Sequence, residues 1–382
     1  MEKSFDYNII DELEERKDNI VVYGTGNQAI QFTMKVENYY NEYVNIVCCS
    51  KTEIQVTEQL FMNEYKILPI NEIQTDFDYI IIAIANQKVR EEIEFDLIRN
   101  HGINSDIIVH YPEYLDKCRR RKIIGTLLAS NNQELKDTIE YLRKNKLSVR
   151  NQYANKETVE YKVYIDQENQ YPYVEYCGRR MYYPRDYVFE KNGKDENILT
   201  NIVECDQYPG SPHLYCNGKH EFLGGVLVDA GVAEGNFALK YVDKADKIYL
   251  IESDKKWVEV LKLTFAPFMD KVVIVNKRLG KRVSDNETTL DFLLGGEKCD
   301  FIKMDIEGAE PDALLGGIGI LQRRKPKISV CTYHNENDYK YVSFIMKALG
   351  YAVSNSFGYM FFLFDENIDR TLDFRRGVIY GD

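Results

Sequence analysis

One short stretch of this 382-residue chain sets two acids around a turn of small residues. Residues 224–254 read GGVLVDAGVAEGNFALKYVDKADKIYLIESD. An apolar run at 226–228 ends in Asp229. A turn with small residues follows, Gly231-x-Ala233-Glu234-Gly235, and opens a helical pattern. A second apolar run, 247–251, ends in Glu252 and Ser253. Small residues let backbone approach a ligand closely. An acid at the tip of the second strand accepts hydrogen bonds from both hydroxyls of a ribose. Dinucleotides and S-adenosylmethionine are both held this way. Asp229, two residues before the first glycine, favours the second. It would repel a pyrophosphate on the turn and suits the cationic amino-acid end of S-adenosylmethionine.

A further set of polar residues closes later apolar runs. Strands are expected at 226–229, 247–252, 271–276, 299–305 and 327–333, with helices between them. The residues at those strand ends are Asp229, Glu252, Asn276, Asp305 and His334. In a doubly wound sheet, ligands lie beyond the carboxyl ends of the strands. The cofactor-contacting set is therefore Asp229, Gly231, Ala233, Glu234, Gly235, Glu252, Ser253 and Asn276. His334 titrates near neutral pH and is the first candidate for a general base, with Asp305 the second. Asp305 and Glu307 also suit a divalent cation, since magnesium takes hard oxygen ligands. A metal is not expected.

The pieces VDAGVAEGNFA (228–238), TTLDFLL (288–294), DFIKMDIEGAE (300–310), LLGG (314–317) and ALGY (348–351) resemble the FkbM family of S-adenosylmethionine-dependent methyltransferases. The resemblance covers about residues 221–365, and IKMDIEGAE is its most specific part. The family turn usually carries Asn where this chain has Ala233. The resemblance implies methyl transfer from S-adenosylmethionine, most simply to a hydroxyl. Two rivals stand beside it: an NAD-dependent sugar oxidoreductase acting through the N-terminal segment, and a non-catalytic S-adenosylmethionine-binding scaffold. No Tyr-x-x-x-Lys or comparable hydride-transfer constellation supports the first.

Those elements need a frame. The fold class expected is α/β, with three segments. Residues 1–118 alternate strands and helices around a Gly24-x-Gly26-x-x-Ala29 turn and read as a second, N-terminal Rossmann-like domain. It resembles small domains attached to bacterial sugar-modifying enzymes, so a nucleotide-sugar or structural role is implied. Its second strand ends in Cys48-Cys49-Ser50 with no acid to hold a ribose, which speaks against NAD. Residues 119–220 read as a helical linker and a β-rich lead-in, and residues 221–382 as the methyltransferase domain, whose last elements are an antiparallel pair near 351–355 and 359–365. In the Pro- and Gly-containing loop DQYPGSPHLY (206–215), His213 is placed to face the acceptor, as are Glu307, Arg375 and Arg376. Cys205, His213, Cys216 and His220 lack the paired spacing of a zinc site.

Composition narrows the partners. The net charge of −12 and the lack of a long basic run speak against nucleic acid. No window has the length and apolarity of a membrane span, and the charged N-terminus has no signal-peptide core. A cytoplasmic protein acting on a small-molecule or glycan-precursor acceptor is the expectation, and a homo-oligomer is compatible with it. Eight scattered Cys read as reduced thiols. The 29 Tyr suit both half-buried packing and a cleft for a polyhydroxylated acceptor.

Overall fold

The computed structural model describes residues 18–40, 44–50, 67–73, 77–128, 130–154, 159–189, 198–200, 207–362 and 372–382. Contacts divide the chain into two compact units, one of residues 1–131 and 142–147, the other of residues 132–141 and 148–382. The segment 119–220, read from sequence as one linker and lead-in, is thus divided between them.

The first unit runs β1 (Asp18–Tyr23), α1 (Asn27–Tyr40), β2 (Val44–Ser50), β3 (Ile67–Pro69), β4 (Tyr79–Ile82), α2 (Gln87–His101), β5 (Ile108–His110) and α3 (Tyr111–Leu127). All its strands pair in parallel, in the order β3-β2-β1-β4-β5. The central strands are continuous apolar runs, as a sheet covered on both faces requires. Ile20, Val22 and Ile81 pack on one face, and Val21, Ile80 and Ile82 on the other. Asn86 caps α2 by accepting from the Val89 amide, and Gly102 ends it in the left-handed region.

The second unit begins with α4 (Gln133–Leu142) and short antiparallel strands. These are β6 (Glu160–Lys162), β7 (Tyr164–Ile165), β8 (Pro172–Tyr176), β9 (Arg179–Tyr182) and β10 (Ile198–Thr200). β7-β8-β9 form one sheet and β6 pairs with β10. A large sheet follows, from β11 (Gly225–Ala230), α5 (Asn236–Tyr241), β12 (Ala245–Ile251), α6 (Lys255–Thr264), β13 (Val272–Val275), the short pair β14 (Arg278–Leu279) and β15 (Glu287–Thr288), α7 (Leu290–Leu294), β16 (Phe301–Met304), α8 (Glu310–Leu315), α9 (Ile318–Arg324), β17 (Lys327–Cys331), α10 (Asp338–Ala348), β18 (Val353–Asn355) and β19 (Val378–Gly381). Thr264 at the end of α6 accepts from the Tyr182 amide at 3.0 Å and ties the lead-in to this sheet.

The large sheet is ordered β13-β12-β11-β16-β17-β19-β18. The five strands expected from sequence are all present and parallel. The antiparallel pair is a correction. β18 pairs with β19, and β19 slots between β17 and β18. Met360 makes only an isolated bridge to Arg375, and residues 363–365 lie outside the described residues. The reason is burial: all four residues of β19 are buried, so its apolar Val378, Ile379 and Tyr380 take the inner position. Among the described residues no helix is long and apolar enough to cross a membrane.

Chain reversal on either side of β11 makes the β11–β16 boundary the topological switch point, beside which ligands of open α/β sheets bind at the carboxyl ends. Side chains alternate between faces. Leu227 and Phe301 point into one core cluster, Val228 and Ile302 into the other. By the same alternation Asp229, Lys303, Asp305, Cys331 and Tyr333 share the face of Leu227.

Candidate functional site

Register brings the first pair together. Asp229 on β11 lies opposite Lys303 on β16. The Lys303 Nζ is 3.0 Å from Asp229 Oδ1, and both side chains are almost wholly buried. Lys303 also donates to the Gly231 carbonyl. Burial opposes its charge, but Asp229 and Asp305 hold its pKa above the ordinary lysine value. Burial pushes the Asp229 carboxyl up, and Lys303 pulls it back. The charge of Asp229 is therefore already answered inside the protein.

The turn explains its residues. Gly231 sits at φ +72°, and a Cβ there would stand 1.6 Å from the Asp305 carbonyl oxygen. No other residue fits. Ala233 also takes a positive φ, 46°. Glu252 binds the turn from the tip of β12. Its Oε2 accepts from the Val232 and Ala233 amides at 3.1 and 3.0 Å, and its Oε1 from the Asp254 amide at 2.8 Å. Asn276 donates to the Glu252 and Ser253 carbonyls at 2.9 Å each, so it stiffens that tip from β13. Ser253 is exposed beside it. Glu234 is half-buried; burial raises its pKa, as do Asp229 and Asp305 nearby.

Asp305 is the hub of the rim. Tyr215 donates to its Oδ2 at 2.7 Å, and Tyr333 to its Oδ1 at 3.1 Å. His213 Nε2 lies 3.2 Å from Oδ2, and His334 Nε2 lies 3.3 Å from Oδ1. Burial works against its charge, yet His213, Lys303 and His334 hold its carboxyl well below the usual range. Tyr215 and Tyr333 are pushed up by burial and by Asp305, so they remain neutral donors.

His334 is held between carboxylates. Its Nδ1 lies 3.3 Å from Glu310 Oε1, and its Nε2 faces Asp305 and, at 3.5 Å, Glu307 Oε2. Glu310 is wholly buried and also accepts from the Ile306 amide at 2.8 Å. Burial opposes a charge on the ring, but Glu310, Asp305 and Glu307 raise its pKa above 6.5. Two sets of side chains stand close enough to share one ion: Asp305, Glu310 and His334, and His213, Asp305 and Cys331.

The structure thus gathers Asp229, the turn, Glu252, Asn276, Asp305, His334 and His213 along the carboxyl ends of the strands. Glu307 is there too, with an 86% exposed side chain and φ 56°. The arginines have other partners. Arg375 is buried and donates to the Tyr333 and His334 carbonyls at 3.0 and 2.8 Å. Arg376 pairs with Glu134 at 2.6 Å and lies over the Tyr359 ring. His220 bonds Asp382 and Ser329 rather than joining His213, and Cys205 lies outside the described residues. Sequence reading passed over Lys303, Tyr215, Tyr333 and the buried role of Glu310. A lysine inside the apolar run FIKM was the available signal, because a charge in a covered strand requires a partner. Nothing in the spacing announces the two tyrosines.

No curated protein matches the chain. A solved FkbM methyltransferase from Methylobacillus flagellatus KT is 14% identical over 98% of this chain and 96% of its own, with a TM-score of 0.45. A precorrin-6y C5,15-methyltransferase from Geobacter metallireducens GS-15 is 11% identical over 43% of this chain and 83% of its own, at 0.29. The methyltransferase FkbM domain matches residues 108–361, well over half of the sequence and far upstream of 221, and this chain belongs to that methyltransferase family.

Proposed function

We propose that the second unit transfers a methyl group from S-adenosylmethionine to a hydroxyl of a small-molecule acceptor, a sugar or a glycan precursor. One observation carries the reading: a glycine turn anchored on Glu252 and an acidic hub, Asp305 with His334, open at the same strand ends. Glu252 is stiffened by three backbone amides and retains acceptor capacity for ribose hydroxyls. Ser253, Asn276, Ala233, Glu234 and Gly235 border that place, and Asp229 with Lys303 braces it from below.

When bound, S-adenosylmethionine supplies an electrophilic methyl group on an already activated leaving group. The chain has two tasks left, to align the acceptor and to take its proton. Glu310 at Nδ1 orients the His334 ring, so Nε2 is the atom that receives the proton. Asp305 then faces the imidazolium formed, and Tyr215, Tyr333 and Lys303 keep Asp305 a carboxylate. A carboxylate orienting a histidine base is a recurring device in acyl transfer. His213 and exposed Glu307 border the acceptor's approach. A divalent ion on Asp305, Glu310 and His334 is the competing arrangement. We favour the base because Lys303 and the hydroxyls of Tyr215 and Tyr333 already answer the charge of Asp305.

The first unit has a cavity of about 810 Å³ over the turn at Gly24–Gly26, beyond β1 and β4. Such a place suits a nucleotide-type ligand, and the acid-free end of β2 argues against NAD. The test of the transfer is to incubate the full chain with S-adenosylmethionine and copurifying small molecules, then follow them by mass spectrometry. Appearance of S-adenosylhomocysteine together with a methylated hydroxyl supports the reading. Product methylated on nitrogen or carbon, or no turnover of any copurifying compound, counts against it.

A further inference from the structure

A second cavity, of about 800 Å³, is bounded by the loop that precedes β11, by helix α5 and by residues 355–357. It lies within the size range of small-molecule sites, roughly 300–1,000 Å³. Three ammonium groups border it, Lys219, Lys240 and Lys244, against one carboxylate, Glu221. The chain as a whole carries −12, so a wall with three cations to one anion runs opposite to the protein's own field. Among the described residues, none of the three lysines reaches a carboxylate. Lys240 and Lys244 lie instead over the Tyr241 ring, at 5.8 and 5.7 Å.

The remaining lining adds hydrogen-bonding groups and flat apolar faces. Asn355 Oδ1 is buried there without a hydrogen-bond partner. Phe357, whose ring is exposed, supplies a flat apolar face against which a sugar ring packs. The same loop carries His213 and Tyr215 to Asp305, so the wall of the cavity is continuous in sequence with the catalytic rim.

We infer that this cavity binds an anionic, hydroxyl-rich ring: a sugar bearing a phosphate or a carboxylate. The assignment rests on the methyl-transfer reading for its role, as the charged part of the acceptor class, though not for the binding itself. The lysines act as point charges and do not demand the bidentate geometry of arginine. Phosphate and carboxylate therefore fit on the same chemistry.

The test is calorimetric titration of the full chain with glucose 6-phosphate, glucuronate and neutral methyl glucoside. Both charged sugars are expected to bind about ten-fold or more tightly than the neutral one, and the tighter of the two identifies the charge carried. Lys240→Glu/Lys244→Glu is expected to remove that preference, with circular dichroism confirming the fold. Asn355→Asp, a second variant away from helix α5, is expected to weaken the charged sugars by like-charge repulsion. Equal binding of the neutral sugar, unchanged binding by the double variant, or no heat from any of the three overturns the inference. S-adenosylhomocysteine titrated into the same sample separates the two claims. Heat from it alone sinks the sugar site and leaves the transfer reading; heat from the charged sugars alone does the reverse.

Discussion

Replacing Lys303 by Met tests the frame of the site. Lys303 and Asp229 are 3.0 Å apart, with side chains 5% and 1% exposed. Met fills a similar volume but leaves Asp229 as a buried carboxylate with no cation. Breaking one side of such a pair costs about 3–5 kcal/mol. The Gly231 carbonyl also loses its donor, which argues for the upper half of that range. Removing both partners, in Asp229→Asn/Lys303→Met, leaves no uncompensated charge and is expected to cost less than the single lysine change. Urea unfolding can be followed at Trp257, the single tryptophan, which packs against Tyr183 and Tyr187 in the same unit. Acid should narrow the gap between Lys303→Met and wild type. Asp229 already has a raised pKa, and without Lys303 it takes up a proton more readily as pH falls. A loss under about 1 kcal/mol in Lys303→Met, or a double variant worse than the sum of the singles, would refute the claim that this pair braces the turn.

Three further outcomes follow from the same geometry. Gly231→Ala forces a Cβ onto the Asp305 carbonyl at a positive φ, so thermal melts should show a clearly lower midpoint and S-adenosylhomocysteine binding should be lost; a native-like variant with intact binding would show that the turn gives way. A His334 base must be neutral, and its pKa is raised above 6.5, so kcat/KM should climb with pH through a value above 6.5; His334→Gln should flatten that limb and lower turnover by about 10²–10⁴, whereas a base at Asp305, held well below 3.8, would give a flat profile from mildly acidic pH upward. The same shift stabilises the fold fully below the unfolded value of 6.5 and is lost as pH rises through the folded pKa. Chelator should leave wild-type activity intact; loss of activity that magnesium restores would instead place an ion on Asp305, Glu310 and His334.

Much of this was legible in the sequence because strand ends announce themselves. Asp229, Glu252, Asp305 and His334 each close an apolar run, and parallel strands bring such ends to one rim whatever their separation in sequence. The glycine turn was legible because close backbone approach admits few residues. Contacts that depend on register were not legible. Asp229 reads as a free acid aimed at a cofactor until β16 is laid beside β11 and Lys303 falls opposite it. Glu310 reads as a helix-dipole acid, and only the turn at 306–309 folds it back onto His334. The last antiparallel strand was misplaced because 359–365 and 378–381 are both apolar and aromatic. Burial between β17 and β18 decided for the second.

Calorimetric titration of the full chain with S-adenosylhomocysteine and, separately, with NAD tests the central claim most directly. The account predicts one binding event with S-adenosylhomocysteine and no tight binding of NAD. It also predicts that Glu252→Ala loses about 2–3 kcal/mol, roughly 30- to 160-fold in affinity, as the ribose acceptor and the tie to the turn amides disappear together. Tight NAD binding with no heat from S-adenosylhomocysteine, or an affinity unchanged by Glu252→Ala, would contradict it.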